Sequence, residues 1–303
     1  MKDTVVEVNK LRKAYGDLVA VDDISFNVEK GEIFGLLGPN GAGKTTTFEC
    51  LEGLRKPDGG TFKLMGESPN YNYSNLRSTI GVQLQTSGLP DSMRVDEAMN
   101  FFSAYHNVTS RYDLLERLGL REKMGTQYHT LSTGLKRRLS LALAHNPPIL
   151  FLDEPTAGLD VQSRVELHNM MKELQESGTT ILLATHDMAE AEKTATRVAI
   201  LLRGKIITTG TPHEITASGA GLTKISVRVE GSSLSIPNII FSNVTQYLSK
   251  DEYKIYFSTN PGKTVSSIIE YISRQKDSLI DLRVERPSLE DRFLEITNKK
   301  VRK

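Results

Sequence analysis

The run GPNGAGKTT, residues 38–46, has glycines at 38, 41 and 43 followed at once by Lys44 and Thr45, the spacing G-x-x-x-x-G-K-[ST]. Glycines let successive backbone N–H groups turn inward around phosphate oxygens. A lysine directly after the last glycine reaches the outer phosphates, and the following hydroxyl can ligate a hard divalent cation. Two further stretches end in reactive groups. Asp153 and Glu154 close the apolar run of ILFLDEP, and His186 closes that of LLATHD. A carboxylate at a strand end suits Mg²⁺, which takes oxygen ligands. Its neighbour is then free to orient or deprotonate a water for in-line attack on a terminal phosphate. An imidazole at the same sheet edge is placed to touch that phosphate. Alone, an acidic pair or a histidine at a strand end is an ordinary solvated end; the loop upstream gives both a ligand to act on.

A second anion site stands far from the first. LSTGLKRRLSLALAH, residues 131–145, opens on Ser132, Thr133 and Gly134 and continues as an amphipathic helix. The N-terminus of a helix carries partial positive charge and unpaired N–H groups, so it attracts anions. Leu135, Leu139, Ala142 and Leu143 share one face, and Lys136, Arg137 and Ser140 are expected to face away.

These groups need a scaffold. Residues 4–8 alternate, and the run 22–38 reads as two strands divided by a Lys30–Gly31 turn. The second of these, together with 149–152 and the run before His186, is almost wholly apolar, as in a parallel sheet buried on both faces. Residues 95–145 are helical in pattern, and VAILLRGKIITTG reads as a hairpin turning at Arg203–Gly204. Strands alternating with helices, with polar residues at strand C-termini, describe an α/β nucleotide-binding sheet. Near residue 217 the texture changes: TASGAGLTK reads as a linker, and the remainder as a small α+β domain with a helix over about 264–275. The expected domains are therefore 1–217 and 218–303.

The 303 residues carry 38 Lys plus Arg against 37 Asp plus Glu, a net charge of +1, which gives no general pull toward nucleic acid. The one cysteine, Cys50, rules out an internal disulfide and fits a reducing compartment. The start MKDTVVEVNK lacks the apolar core of a signal peptide, and no stretch reaches the ~18 to 20 apolar residues of a spanning helix. A soluble, intracellular chain is expected.

The order GPNGAGKT, a glutamine in GVQLQTSG, then LSTGL, ILFLDEP, AGLD and LLATHD resembles the nucleotide-binding subunit of ABC transporters over about residues 3–217. The resemblance implies a P-loop ATPase fold with an antiparallel β subdomain and a helical subdomain, ATP and Mg²⁺ as cofactors, and hydrolysis coupled to transport. It implies two copies packed head to tail, each ATP lying between the loop of one and the signature of the other. Ser132, Thr133 and Gly134 are then the signature for a partner's nucleotide, and Asp160 belongs to the loop that crosses to the opposite subunit. The loop residues Gly38, Pro39, Asn40, Gly41, Ala42, Gly43, Lys44, Thr45 and Thr46 surround the nucleotide, and Tyr15 matches the aromatic that stacks on adenine. Gln85 matches the glutamine that links Mg²⁺ and the attacking water to the membrane partner, with Gln83 a nearby competitor. Catalysis falls to Glu154, His186, Lys44 and Gln85, and the metal to Thr45, Gln85 and Asp153. Thr133 and Leu135 depart from the usual LSGGQ. The chain would sit on the cytoplasmic side of the membrane through a separate permease, which docks near residues 86–115, where Met99, Phe101, Phe102 and Tyr105 exceed what a solvated face needs.

The tail RPSLEDRFLEITN resembles the ending of ATPases serving antibiotic and multidrug exporters, the daunorubicin- and bacitracin-resistance type. Read as local structure it is a capped helix. Ser288 stands at its N-cap with Asp291 three residues on, and Leu289, Phe293, Leu294 and Ile296 form a packing face. Efflux of a drug, antibiotic or lipid-like molecule is the expected role, with a soluble ribosome- or DNA-associated ATPase or an importer subunit as the alternatives.

Overall fold

Alternation in the first thirty residues becomes an antiparallel pair, β1 (Thr4–Tyr15) and β2 (Leu18–Glu29). The apolar run then forms β3 (Ile33–Leu37), buried at every position, and the glycine loop leads into α1 (Lys44–Leu51). β4 (Gly59–Leu64) pairs with the other side of β1, so the first sheet has the order β2-β1-β4. The computed structural model describes residues 3–68, 79–83, 88–145, 147–217, 222–235 and 241–301.

β5 (Ile80–Gln83) precedes a helical layer of α2 (Val95–Tyr105), α3 (Tyr112–Arg117) and α4 (Thr133–Leu143). Next come β6 (Ile149–Asp153), α5 (Val161–Glu176), β7 (Thr180–Thr185), α6 (Met188–Thr194), β8 (Arg197–Leu202) and β9 (Lys205–Gly210). The central sheet has the order β5-β6-β7-β3-β8-β9, with every pair parallel except β8 with β9. The β8–β9 turn carries positive φ at both Arg203 (49°) and Gly204 (77°), as a two-residue hairpin of this hand requires.

Two apolar layers cover the central sheet. Phe34, Leu36, Phe151 and Leu182 pack with Phe48 and Leu51 of α1 and with the first sheet. Leu150, Leu152, Ile181 and Leu183 pack with Met99, Leu139, Ala142 and Met171 from the helices. Strand residues alternate between these layers, which is the two-sided burial that continuous apolar runs imply. One expectation is corrected: Arg137 does not face away but is buried. Because α4 packs against α2, α3 and α5, one apolar stripe does not exhaust its buried surface. That burial holds the Arg137 guanidinium below the usual arginine range.

The chain separates into two compact units, Met1–Pro212 and His213–Lys303. The second contains α7 (Pro212–Ala217, which begins one residue before it), β10 (Thr223–Val229), β11 (Val244–Lys250), β12 (Tyr253–Ser258), α8 (Pro261–Arg274), β13 (Leu279–Glu285) and α9 (Leu289–Val301). Its antiparallel sheet has the order β11-β12-β10-β13. Ile268 and Ile272 of α8 pack on Ile225, Val227 and Tyr256. α8 starts at Pro261, earlier than its periodicity implies, because Asn260 Oδ1 accepts the Lys263 N–H and proline suits the first turn. Ser288 caps α9: its Oγ accepts the Asp291 N–H at 3.1 Å, and its own N–H donates to Asp291 Oδ2 at 2.9 Å. Leu289 is fully buried, but Leu294 is half exposed and leaves the expected packing face. Leu294 stands about 140° around the helix from Leu289 and about 100° from Phe293, off the stripe those two share.

Candidate functional site

The carboxyl ends of β3, β6 and β7 meet at one edge of the central sheet. Register brings them level: Leu37 pairs with Thr185, and Asp153 with Ala184. This edge is where open parallel sheets place ligands, because loops and helix N-termini converge there.

The glycine loop closes tightly on the fold. Gly43 holds φ at 105°, and a Cβ there would lie 2.3 Å from the carbonyl oxygen of Ala20. Gly38 stands equally close to Leu201, so a side chain is excluded at both positions. Lys44 is buried. Its Nζ donates to the carbonyl oxygens of Gly38 at 2.8 Å and Pro39 at 3.3 Å, and lies 3.5 Å from Glu154 Oε1. The ammonium therefore stands inside the loop, facing the acid at the end of β6.

Thr45 Oγ1 donates to Asp153 Oδ2 at 2.8 Å, and Asp153 Oδ1 is buried with no hydrogen-bond partner among the described residues. Burial raises the Asp153 carboxyl above the usual range, and the Glu154 charge adds to this against the Thr45 bond. A buried, unsatisfied carboxylate oxygen beside a hydroxyl is a donor set that a hard cation would satisfy. Glu154 adopts a left-handed backbone, φ 48°, just past the strand. Both of its carboxylate oxygens face His186 Nδ1, at 2.9 and 2.8 Å. One carboxylate thus touches the imidazole and approaches the loop lysine.

Lys44, Thr45, Asp153, Glu154 and His186 are brought together. Ser132, Thr133, Gly134, Asp160 and Tyr15 belong to other elements of the fold. Ser132 caps α4, its Oγ accepting the Leu135 N–H at 3.3 Å, and Thr133 is exposed. Gly134 is buried so closely against α5 that a Cβ would come within 2.8 Å of Ser163 Oγ. Asp160 caps α5, accepting the Ser163 N–H at 2.9 Å and the Ser163 Oγ–H at 2.8 Å, which holds its carboxyl below the usual range. Tyr15 ends β1 half exposed, flanked by Lys13 and Arg55 at 5.6 and 5.4 Å from its ring centre. Gln85 lies outside the described residues. In the expected docking region, Met99 is buried while Phe101 and Tyr105 are exposed.

Glu52 and Glu190 escaped the sequence reading, and Gln83 entered it only as the competitor of Gln85. Gln83, at the end of β5, is 1% exposed, and neither its amide oxygen nor its nitrogen has a partner among the described residues. It pairs in register with Leu152, so it points into the helical layer, on the opposite face from Asp153. Burial and the charges of Asp153 and Glu49 push the Glu52 carboxyl up to about 8. Glu190, on α6, is buried. The spacing Asp187-x-x-Glu190 was a signal for it, since a cap followed three residues later by glutamate marks a helix start.

Residues 21–157 match the family model described as ABC transporter. The chain is 34% identical to the Nod factor export ATP-binding protein I of Ralstonia nicotianae, over 98% of this chain and 95% of that protein. It is 33% identical to the linearmycin resistance ATP-binding protein LnrL of Bacillus subtilis, over 98% and 100%. Among solved structures, cbiO1 of Clostridium perfringens, part of the ABC transporter complex cbiONQ, aligns with a TM-score of 0.63 and 30% identity, over 72% of this chain and 92% of that one. An ATP-binding subunit of an ABC transporter aligns with a TM-score of 0.65 and 27% identity, over 70% and 92%. Phosphate loop, acidic strand end and histidine, set at one sheet edge and matched along nearly the whole chain, identify this protein as a member of the ATP-binding subunits of ABC transporters.

Proposed function

We propose that this chain is the ATPase of an exporter, driving efflux of a drug, antibiotic or lipid-like molecule through a separate permease, at the cytoplasmic face of the membrane. The observation that carries hydrolysis is the placement of the Glu154 carboxylate between Lys44 and His186. The two relatives matched over nearly their full length support export, since their names speak of Nod factor export and linearmycin resistance. No helix among the described residues is long and apolar enough to cross a membrane, so the path for cargo is assigned to a partner.

In this reading the glycine loop and Lys44 bind the β- and γ-phosphates, and Tyr15 takes the adenine. Thr45 and Asp153 would hold Mg²⁺, and the resemblance adds Gln85 to that set; the ion would neutralise charge developing on the phosphoryl oxygens. Glu154 orients the attacking water and takes up its proton, and His186 keeps that carboxylate in place while facing the γ-phosphate. Ser132 and Gly134, at the N-terminus of α4, contact the γ-phosphate of a second copy, with Asp160 at the same contact. ATP then joins two copies, and hydrolysis releases them. Residues 218–303 serve as an accessory domain.

Phosphate release from ATP by the purified chain tests the first claim, and cysteine crosslinking from Ser132 to the loop of a second copy in ATP tests the second. Membrane vesicles containing the chain and its co-purified permease test export by ATP-dependent movement of a labelled amphiphilic drug. Movement in the inward direction relative to the cell would reject the exporter assignment.

A further inference from the structure

Glu190 of α6 is a carboxylate wholly withdrawn from solvent that hydrolysis does not use. Such a group is costly unless it is bonded at both oxygens, and it is. Oε2 accepts the Thr185 hydroxyl at 2.9 Å, and Oε1 lies 3.2 Å from His168 Nε2 on α5. Thr185 is the last residue of β7 and the one before His186. Its Oγ1 accepts the Asp187 N–H at 3.0 Å, and its carbonyl accepts the N–H of Gly38, the first loop glycine, at 3.3 Å. Asp187 in turn accepts the Glu190 N–H at 2.9 Å and lies 3.6 Å from the guanidinium of Arg164, one turn before His168 on α5.

The backbone on both sides of His186 is therefore tied down, while the His186 ring itself is 55% exposed. The direction from which that ring reaches Glu154 follows from the peptide on either side of it. We propose that Glu190 is a positioning residue of the hydrolytic centre: acting through the Thr185 hydroxyl, and braced by His168, it sets the approach of His186 to Glu154. This rests on reading that centre as an ATPase.

The test uses the purified full-length chain and its variants Glu190→Gln, Thr185→Val and Thr185→Ser. Glutamine keeps the shape of Glu190 but replaces one acceptor by a donor, so one of the two bonds survives only if its partner turns acceptor, His168 by changing tautomer or Thr185 by turning its hydroxyl. Valine removes the hydroxyl at nearly constant volume, and serine keeps it. Glu190→Gln and Thr185→Val are expected to lower kcat for ATP at least about tenfold with KM within about twofold, and the double variant to be no worse than Thr185→Val alone. Thr185→Ser should retain the parent kcat. A second readout needs no turnover: the imidazole resonance of His186, assigned by its loss in His186→Gln, should move in Glu190→Gln. An unchanged kcat with an unmoved resonance, whatever happens to the melting temperature, overturns the positioning role. A parent chain that releases no phosphate overturns the ATPase reading instead, and the resonance still decides the role of Glu190.

Discussion

His186 Nδ1 lies 2.8 Å from Glu154 Oε2 and 2.9 Å from Oε1, a single ring nitrogen facing both oxygens of the acid that follows β6. The two residues are 32 positions apart in sequence and directly follow different strands. Their contact exists because β6 and β7 are parallel neighbours, so that both chains leave the sheet at the same edge.

If Glu154 takes the proton of the attacking water, Glu154→Gln should preserve shape while removing the base. Turnover is expected to fall by about 10²- to 10⁴-fold, the usual range for loss of a positioned base. ATP affinity should hold, and light scattering should detect an ATP-bound dimer that persists. Unchanged hydrolysis would reject the assignment.

Two loop glycines should differ in their tolerance of alanine. At Gly41, φ is 78° and an added Cβ meets nothing within 4 Å, so Gly41→Ala costs only the left-handed backbone, about 1 kcal/mol. At Gly43 the same Cβ meets the Ala20 carbonyl oxygen at 2.3 Å, and the strand must shift. Gly43→Ala should therefore melt lower than Gly41→Ala and lose ATP binding, as measured by calorimetry and nucleotide titration.

Glu52 supplies a pH signature. Its carboxyl is raised to about 8 in the folded chain, chiefly by burial, from an ordinary value near 4.5. Below the ordinary value it is protonated whether folded or unfolded and costs nothing. As pH rises through the window from the ordinary value to about 8, the unfolded chain releases its proton first, and stability is lost. Glu52→Gln should remove that loss. Melting curves of parent and variant should coincide near pH 4 and separate progressively toward pH 8, with the variant more stable.

Among the described residues, neither end of the buried Gln83 amide has a partner. Unmade hydrogen bonds of this kind cost about 1–3 kcal/mol, so Gln83→Met, of similar length and without polar demands, should raise the nucleotide-free melting temperature. A lower melting temperature would show that the amide is satisfied in solution.

The chemistry of the loop was legible in the sequence because it is local. Glycines at 38, 41 and 43, the lysine and the threonine act within one strand–loop–helix unit, and backbone conformation there depends on neighbours in the chain. The apolar runs and the Ser288 cap are local in the same sense. Periodicity was less reliable where burial came from several sides: it left Arg137 to solvent and put Leu294 on a packing face.

The order of strands required the folded chain. β7 inserts between β3 and β6, and only that arrangement carries Glu154 to both Lys44 and His186. Likewise, nothing in the one-dimensional pattern says that Glu190 is withdrawn from water or that Gln83 points into the helical layer. Residue types and short spacings marked the groups suited to a phosphate and a cation. Which of them meet, and which polar atoms lose water, was decided by long-range packing, where side chains brought together from distant strands must share one small volume.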